Sequence, residues 1–163
     1  MTITIGVDPG LSGAIALVDS YGVLVEVHDM PVLAKDVSPQ LLRQMFDNEI
    51  HTGHALDDET YGCVIIEDVH SMPKQGVASS FKFGRSKGVI EGFFAGAGLP
   101  IRYVSPSRWK RDLGLTADKG TSRQRALELW PAHARAFARV KDDGRAEAAL
   151  IALWFIRHGE GRG

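Results

Sequence analysis

Four carboxylates, Asp8, Glu67, Asp143 and Glu147, stand where three distant segments of the chain could bring them together. Asp8 closes the apolar run at residues 2–7, and Glu67 closes residues 63–66. Asp143 and Glu147 are four apart at the start of an apolar helical pattern, which keeps both on one helical face. Strands rich in branched residues that each end on an acid can set those acids at one sheet edge. Oxygens gathered in this way repel one another and call for a divalent cation. A set made only of carboxylates, with no matched cysteine or histidine, suits a hard ion better than zinc. Taken singly, each acid has a plainer reading: Asp8 as a turn residue, Glu67 as a strand end, Asp143 as a helix N-terminal charge. Their joint placement at the ends of three elements outweighs those readings. His51 and His54 stand in a polar stretch without a third ligand and read as surface residues.

The elements that must position these acids follow from pattern. After the first strand, Asp8-Pro9-Gly10 is a turn, residues 13–19 read as a second strand, and residues 23–28 as a third with one wet face. Ser38-Pro39 caps a helix expected to run to about residue 50. The strand ending at Glu67 leads through a loop to a long helix at residues 77–98. A short strand at 99–104 and a short helix from Pro106, stopped by Gly114, come next. Thr121 and Gln124 fit a capping box for a helix through Trp130, where Pro131 ends the pattern. Residues 131–141 lack clear periodicity. The closing helix starts near Asp142, a candidate N-cap, and carries Ala146, Ala149, Leu150, Leu153 and Trp154 on one face.

In the long helix Gly84, Gly88, Gly92 and Gly96 recur every fourth residue and share a face, although each costs about 1 kcal/mol against alanine. A close-packed partner is expected there, either a helix of the same subunit or the same helix of a second copy. Lys82, Arg85, Lys87 and Glu91 exclude a membrane span for it.

Charge is divided along the chain. Residues 1–72 carry two basic and twelve acidic side chains, and residues 73–163 carry seventeen and eight, so a net charge of −1 conceals −10 and +9. The basic half suggests a polyanion partner, set against the plainer reading of a solvated face. With 163 residues and 44% hydrophobic content, a single domain spanning 1–163 is expected. No apolar run of 18 residues and no secretory pattern are present, so a soluble, cytoplasmic protein is expected. Cys63, the lone cysteine, reads as a small buried residue.

The segments Ile5-Gly-Val-Asp-Pro-Gly-Leu-Ser-Gly13, Ile65-Ile-Glu67, Phe83-Gly-Arg-Ser-Lys-Gly88 and Asp143-Gly-Arg-Ala-Glu-Ala-Ala-Leu-Ile-Ala152 occur in one order. With them the chain resembles the RuvC-type Holliday junction resolvases from residue 3 to about residue 153. The resemblance implies an α/β, RNase H-like fold: a five-stranded mixed sheet, three antiparallel strands then two parallel, flanked by helices. It also implies a homodimeric endonuclease, dependent on Mg2+ or Mn2+, that nicks opposed strands of a four-way DNA junction. Asp8, Glu67, Asp143 and Glu147 fall on the family's acidic positions. The family commonly spaces its last pair by three and often places Asp where Glu147 stands, and this drift leans toward a bacteriophage-type member. Asp142 lies about 140° round the helix from Glu147, so Asp143 is the better ligand.

Two cations about 4 Å apart can stabilise both the attacking and the departing oxygen in phosphodiester cleavage. In this reading Asp8 bridges them, Glu67 holds one, and Asp143 and Glu147 complete the shell. Lys110 and Lys119 fall where the family places basic residues beside the active site, with Lys119 a candidate catalytic group. Lys74, Lys82, Arg85, Arg108, Arg111 and Arg123 are the further candidates for contact with DNA. His70 takes the nearest place to the family's aromatic wedge in the junction. Two alternatives stay open. A nuclease of the same fold could act on flaps, forks or RNA–DNA hybrids. The opening motif also resembles the phosphate-binding hairpin of actin-like kinases, which need two large lobes.

Overall fold

The computed structural model describes residues 1–49, 60–69 and 76–159. His51, His54, His70 and Lys74 lie outside the described residues, as does the side chain of Lys119. Strands β1 (Ile3–Asp8), β2 (Ala14–Asp19) and β3 (Leu24–Asp29) form an antiparallel meander. A two-stranded ribbon follows, β4 (Val32–Leu33) and β5 (Asp36–Val37), turning through Ala34 and Lys35 at φ of 51° and 65°. Helix α1 (Pro39–Gln44) begins as expected on Ser38, whose hydroxyl accepts from Leu41 N at 3.2 Å. It continues as a π-helical turn over Met45–Glu49 rather than as one regular helix.

Strand β6 (Tyr61–Glu67) then pairs in parallel with β1, and after helix α2 (Val77–Gly96) strand β7 (Ile101–Val104) pairs in parallel with β6. The sheet order is β3-β2-β1-β6-β7, the expected three antiparallel strands joined to two parallel ones. Helices α3 (Pro106–Asp112), α4 (Lys119–Leu129) and α5 (Asp143–His158) complete the chain, with short 3₁₀ turns at Pro131–Ala136 and Val140–Asp142. Among the described residues no helix is long and apolar enough to cross a membrane.

Strand alternation divides the core between two faces of the sheet. Ile3, Ile5, Val7, Ile15, Leu17, Val64 and Ile66 pack with Leu42, Met45, Ile90 and Phe94 of the α1–α2 layer. Ala14, Ala16, Val18, Cys63 and Ile65 face α5 on the other side, and Cys63 is buried as its sequence context suggested.

Two expectations are corrected, and a third is narrowed. Helix α4 starts on Asp118, whose carboxylate accepts from Gly120 N at 3.0 Å; Thr121 lies one turn inside and donates to the Asp118 carbonyl oxygen. The earlier acid wins because it caps a free N–H that Thr121 would leave open. Helix α5 is buried nearly all round from Ala146 to Phe155, not on one face, because Trp109, Ala126, Trp130 and Phe137 cover its outer side. The glycine stripe of α2 has no partner helix within the described chain. Ser86, Ile90 and Phe94 form the buried stripe on the opposite side, and a methyl placed on Gly84, Gly88, Gly92 or Gly96 would meet nothing within 4 Å.

Candidate active site

The β1–β6 register sets Val7 beside Ile66, so the next residues, Asp8 and Glu67, end adjacent parallel strands side by side. Gly6, two before Asp8, faces α5: a Cβ there would press on the Ala148 carbonyl and lie 2.8 Å from Ala152 N. Alternation therefore turns Asp8 toward α5 as well, and Glu67 shares its face with Cys63 and Ile65. The first turn of α5 is pressed against the β1–β2 turn, since a Cβ on Gly144 would lie 2.5 Å from Ser12 O. Strands β1 and β6 thus end on neighbouring acids, and Glu147 of α5 lies near enough for its charge to act on Glu67, while Asp143 opens the same helix.

Each acid meets a donor there. The Trp109 indole N–H donates to Glu67 Oε1 at 2.8 Å, Lys110 Nζ to Glu147 Oε1 at 2.8 Å, and Arg123 Nε to Asp143 Oδ1 at 2.8 Å. Asp8 Oδ1 accepts from Gly10 N at 3.3 Å. Asp142 stands at the N-cap position of α5, but its buried carboxylate turns back to Arg139, accepting from the backbone N–H at 2.9 Å and from the guanidinium at 2.8 Å. That bond holds its carboxyl below the usual carboxylate range. Arg145 is bidentate on Asp29 at 2.6 and 2.7 Å, fixing the first turn of α5 to the end of β3.

Burial pushes the Glu67 carboxyl up to about 7; the indole hydrogen bond opposes the shift, and the charges of Asp8 and Glu147 add to it. Among the described residues no three ligating side chains are grouped so as to hold an ion, and Trp109, Lys110 and Arg123 engage three of the acids. The donor set nevertheless suits a hard divalent cation. A buried carboxylate, destabilised in its charged form by two neighbouring carboxylates, gains most from compensating positive charge.

A raised folded-state value makes the folded protein bind its proton more tightly than the unfolded chain. This carboxyl therefore lowers stability as pH rises from about 4.5 to about 7, by at most roughly 3 kcal/mol. Metal-free protein is expected to melt at a lower temperature at pH 8 than at pH 5.5, and Glu67→Gln to flatten that dependence. Equal slopes for the two proteins in thermal scans would remove Glu67 as the source.

The remaining candidates are dispersed. Lys82 and Arg85 are exposed on α2, with Arg85 3.6 Å from Asp36. Arg108 lies over the Trp154 ring at 5.3 Å, and Arg111 pairs with Asp112 at 3.0 Å. Lys119 opens α4. The sequence places Lys110 beside the active site and Arg123 among contacts for DNA, and the structure seats both on carboxylates. Sequence reasoning passed over Trp109, although a tryptophan beside Lys110 in so polar a segment was the available signal.

No protein-family model matches the chain. A curated protein, the chloroplastic Holliday junction resolvase MOC1 of Chlamydomonas reinhardtii, is 33% identical over 106 residues, which make up 64% of this chain. The match spans only 12% of that relative's length. Among solved structures, Thermus thermophilus RuvC in complex with Holliday junction substrate superposes with a TM-score of 0.66 at 17% identity, covering 98% of this chain and 97% of that one. A second Thermus thermophilus RuvC structure gives 0.57 at 18% identity, with 97% of each chain covered. The chain has the RNase H-like fold of RuvC, and the resemblance read from the sequence is the one these comparisons return.

Proposed function

We propose that this chain is a RuvC-type, metal-dependent endonuclease that resolves four-way DNA junctions by paired symmetric nicks. The observation that carries the reading is the parallel β1–β6 register, which sets Asp8 beside Glu67 on the face where α5 presents Glu147. The MOC1 match and the RuvC superpositions support it. Asp8, Glu67, Asp143 and Glu147 would hold Mg2+ or Mn2+, two ions per site. The bound ions would lower the pKa of a coordinated water and neutralise charge on the leaving oxygen.

The chain's own residues supply the rest. Lys110 and Arg123, which bond Glu147 and Asp143, would take neighbouring phosphate oxygens, and Lys119 would neutralise charge developing at the scissile phosphate. Lys82, Arg85, Arg108 and Arg111 would hold flanking backbone, Lys74 would serve in the same role, and His70 would be the junction wedge. Contacts of this kind make affinity strongly salt-dependent, while the shape of the branch supplies selectivity. Two sites are needed for paired cuts, and the Gly84, Gly88, Gly92 and Gly96 face, which no described residue covers, suits a two-fold helix pair between copies.

The test offers a synthetic four-way junction, a flap, a fork and an RNA–DNA hybrid with Mg2+ and with Mn2+. Symmetric nicks in opposed strands of the junction alone are expected. Preferential cutting of the flap, fork or hybrid would replace this reading with the other nuclease activity of the fold.

A further inference from the structure

Trp109 is fully buried in α3, and its indole carries one N–H that donates and cannot accept. The chain's three tryptophans answer that demand differently. Trp130 donates to the Gly22 carbonyl oxygen at 3.0 Å and Trp154 to Asp112 Oδ2 at 3.0 Å. Trp109 alone donates to one of the four acids, reaching Glu67 Oε1 at 2.8 Å across 42 positions of chain. A ring needed only to fill the core would be served equally by phenylalanine. Fixing one oxygen of a buried carboxylate also fixes the direction of the other, so this bond sets how Glu67 presents itself beside Asp8. The next residue of α3, Lys110, engages Glu147, so one short helix grips the acids of both β6 and α5.

We propose that Trp109 is a positioning residue, its indole N–H holding the Glu67 carboxylate in the orientation that receives a divalent cation. The proposal rests on the metal-dependent reading above. Carboxylates that bind ions are themselves held by outer hydrogen bonds, and losing such a partner typically weakens binding about 10- to 100-fold.

The experiment uses the full-length, 15N-labelled protein and follows its three indole N–H resonances, assigned with single Trp→Phe variants, as Mg2+ is added. The Trp109 resonance is expected to shift saturably while that of Trp130 stays. In parallel Mn2+ binding isotherms, Trp109→Phe, which keeps the ring and loses the donor, is expected to bind about 10- to 100-fold more weakly. Trp130→Phe should bind as the wild type does. A wild type that binds Mn2+ together with a Trp109→Phe variant within twofold of it overturns the positioning role. A wild type that takes up no Mn2+ overturns the metal reading, and the proposal with it. Should Trp109→Phe not fold, the Mg2+ titration decides alone: a Trp109 resonance unmoved at saturation overturns the role.

Discussion

Asp143→Asn is expected to bind a four-way junction about as tightly as the wild type and to cut it roughly 100- to 1,000-fold more slowly in Mg2+. The substitution keeps the shape of the side chain and removes a charge that lies within the first turn of α5, one turn before Glu147. It also frees Arg123, which at 2.8 Å is the carboxylate's partner, so affinity for the DNA backbone has no reason to fall. Asp142→Asn provides the contrast. Its carboxylate is buried and committed to Arg139, so that variant should lose thermal stability while each folded molecule retains its rate. Single-turnover cleavage and filter binding on the same preparations decide the matter. Cleavage retained by Asp143→Asn, or lost selectively by Asp142→Asn, would reassign the acid.

Gly6→Ala has the second largest expected effect. The added methyl would press on the Ala148 carbonyl and lie 2.8 Å from Ala152 N, and backbone atoms of a helix cannot turn aside as a side chain can. Helix α5 would have to lift from β1, at a cost of about 1–3 kcal/mol, or roughly 2–12 °C in melting temperature for a chain of this size. Lifting the helix also carries Glu147 away from Asp8, so cleavage per folded molecule should fall with stability. A variant that melts like the wild type would show that the sheet and helix accommodate the methyl without moving apart.

Much of this fold was legible in the sequence because its strongest signals are local. Apolar runs ending on Asp8 and Glu67, Ser38-Pro39 at a helix start, and Pro131 after Trp130 each act within a few residues. What escaped notice depends on contacts between distant segments, or on conformations that composition does not announce. The β4–β5 ribbon turns through Ala34 and Lys35 in the left-handed region, where glycine or asparagine is the usual sign. Helix α5 looked one-sided because pattern shows which positions are apolar and not what covers the far face. Asp8 and Glu67 were legible as neighbouring strand ends, yet the partners of the acids were not: nothing local ties Trp109 to Glu67 or Arg123 to Asp143. For the glycine stripe of α2 the sequence left two partners open, and no described residue of the same subunit packs on it.

The pairing of β1 with β6 joins segments separated by roughly 60 residues, whereas β1, β2 and β3 meet through short turns. The meander can assemble early from neighbouring chain, but Asp8 gains Glu67 as a neighbour only after that long loop has closed. Contacts of such span are late and slow to form. Recovery of enzymatic competence during refolding should therefore trail the appearance of β-structure, so that a molecule halted partway carries most of its sheet and none of its chemistry.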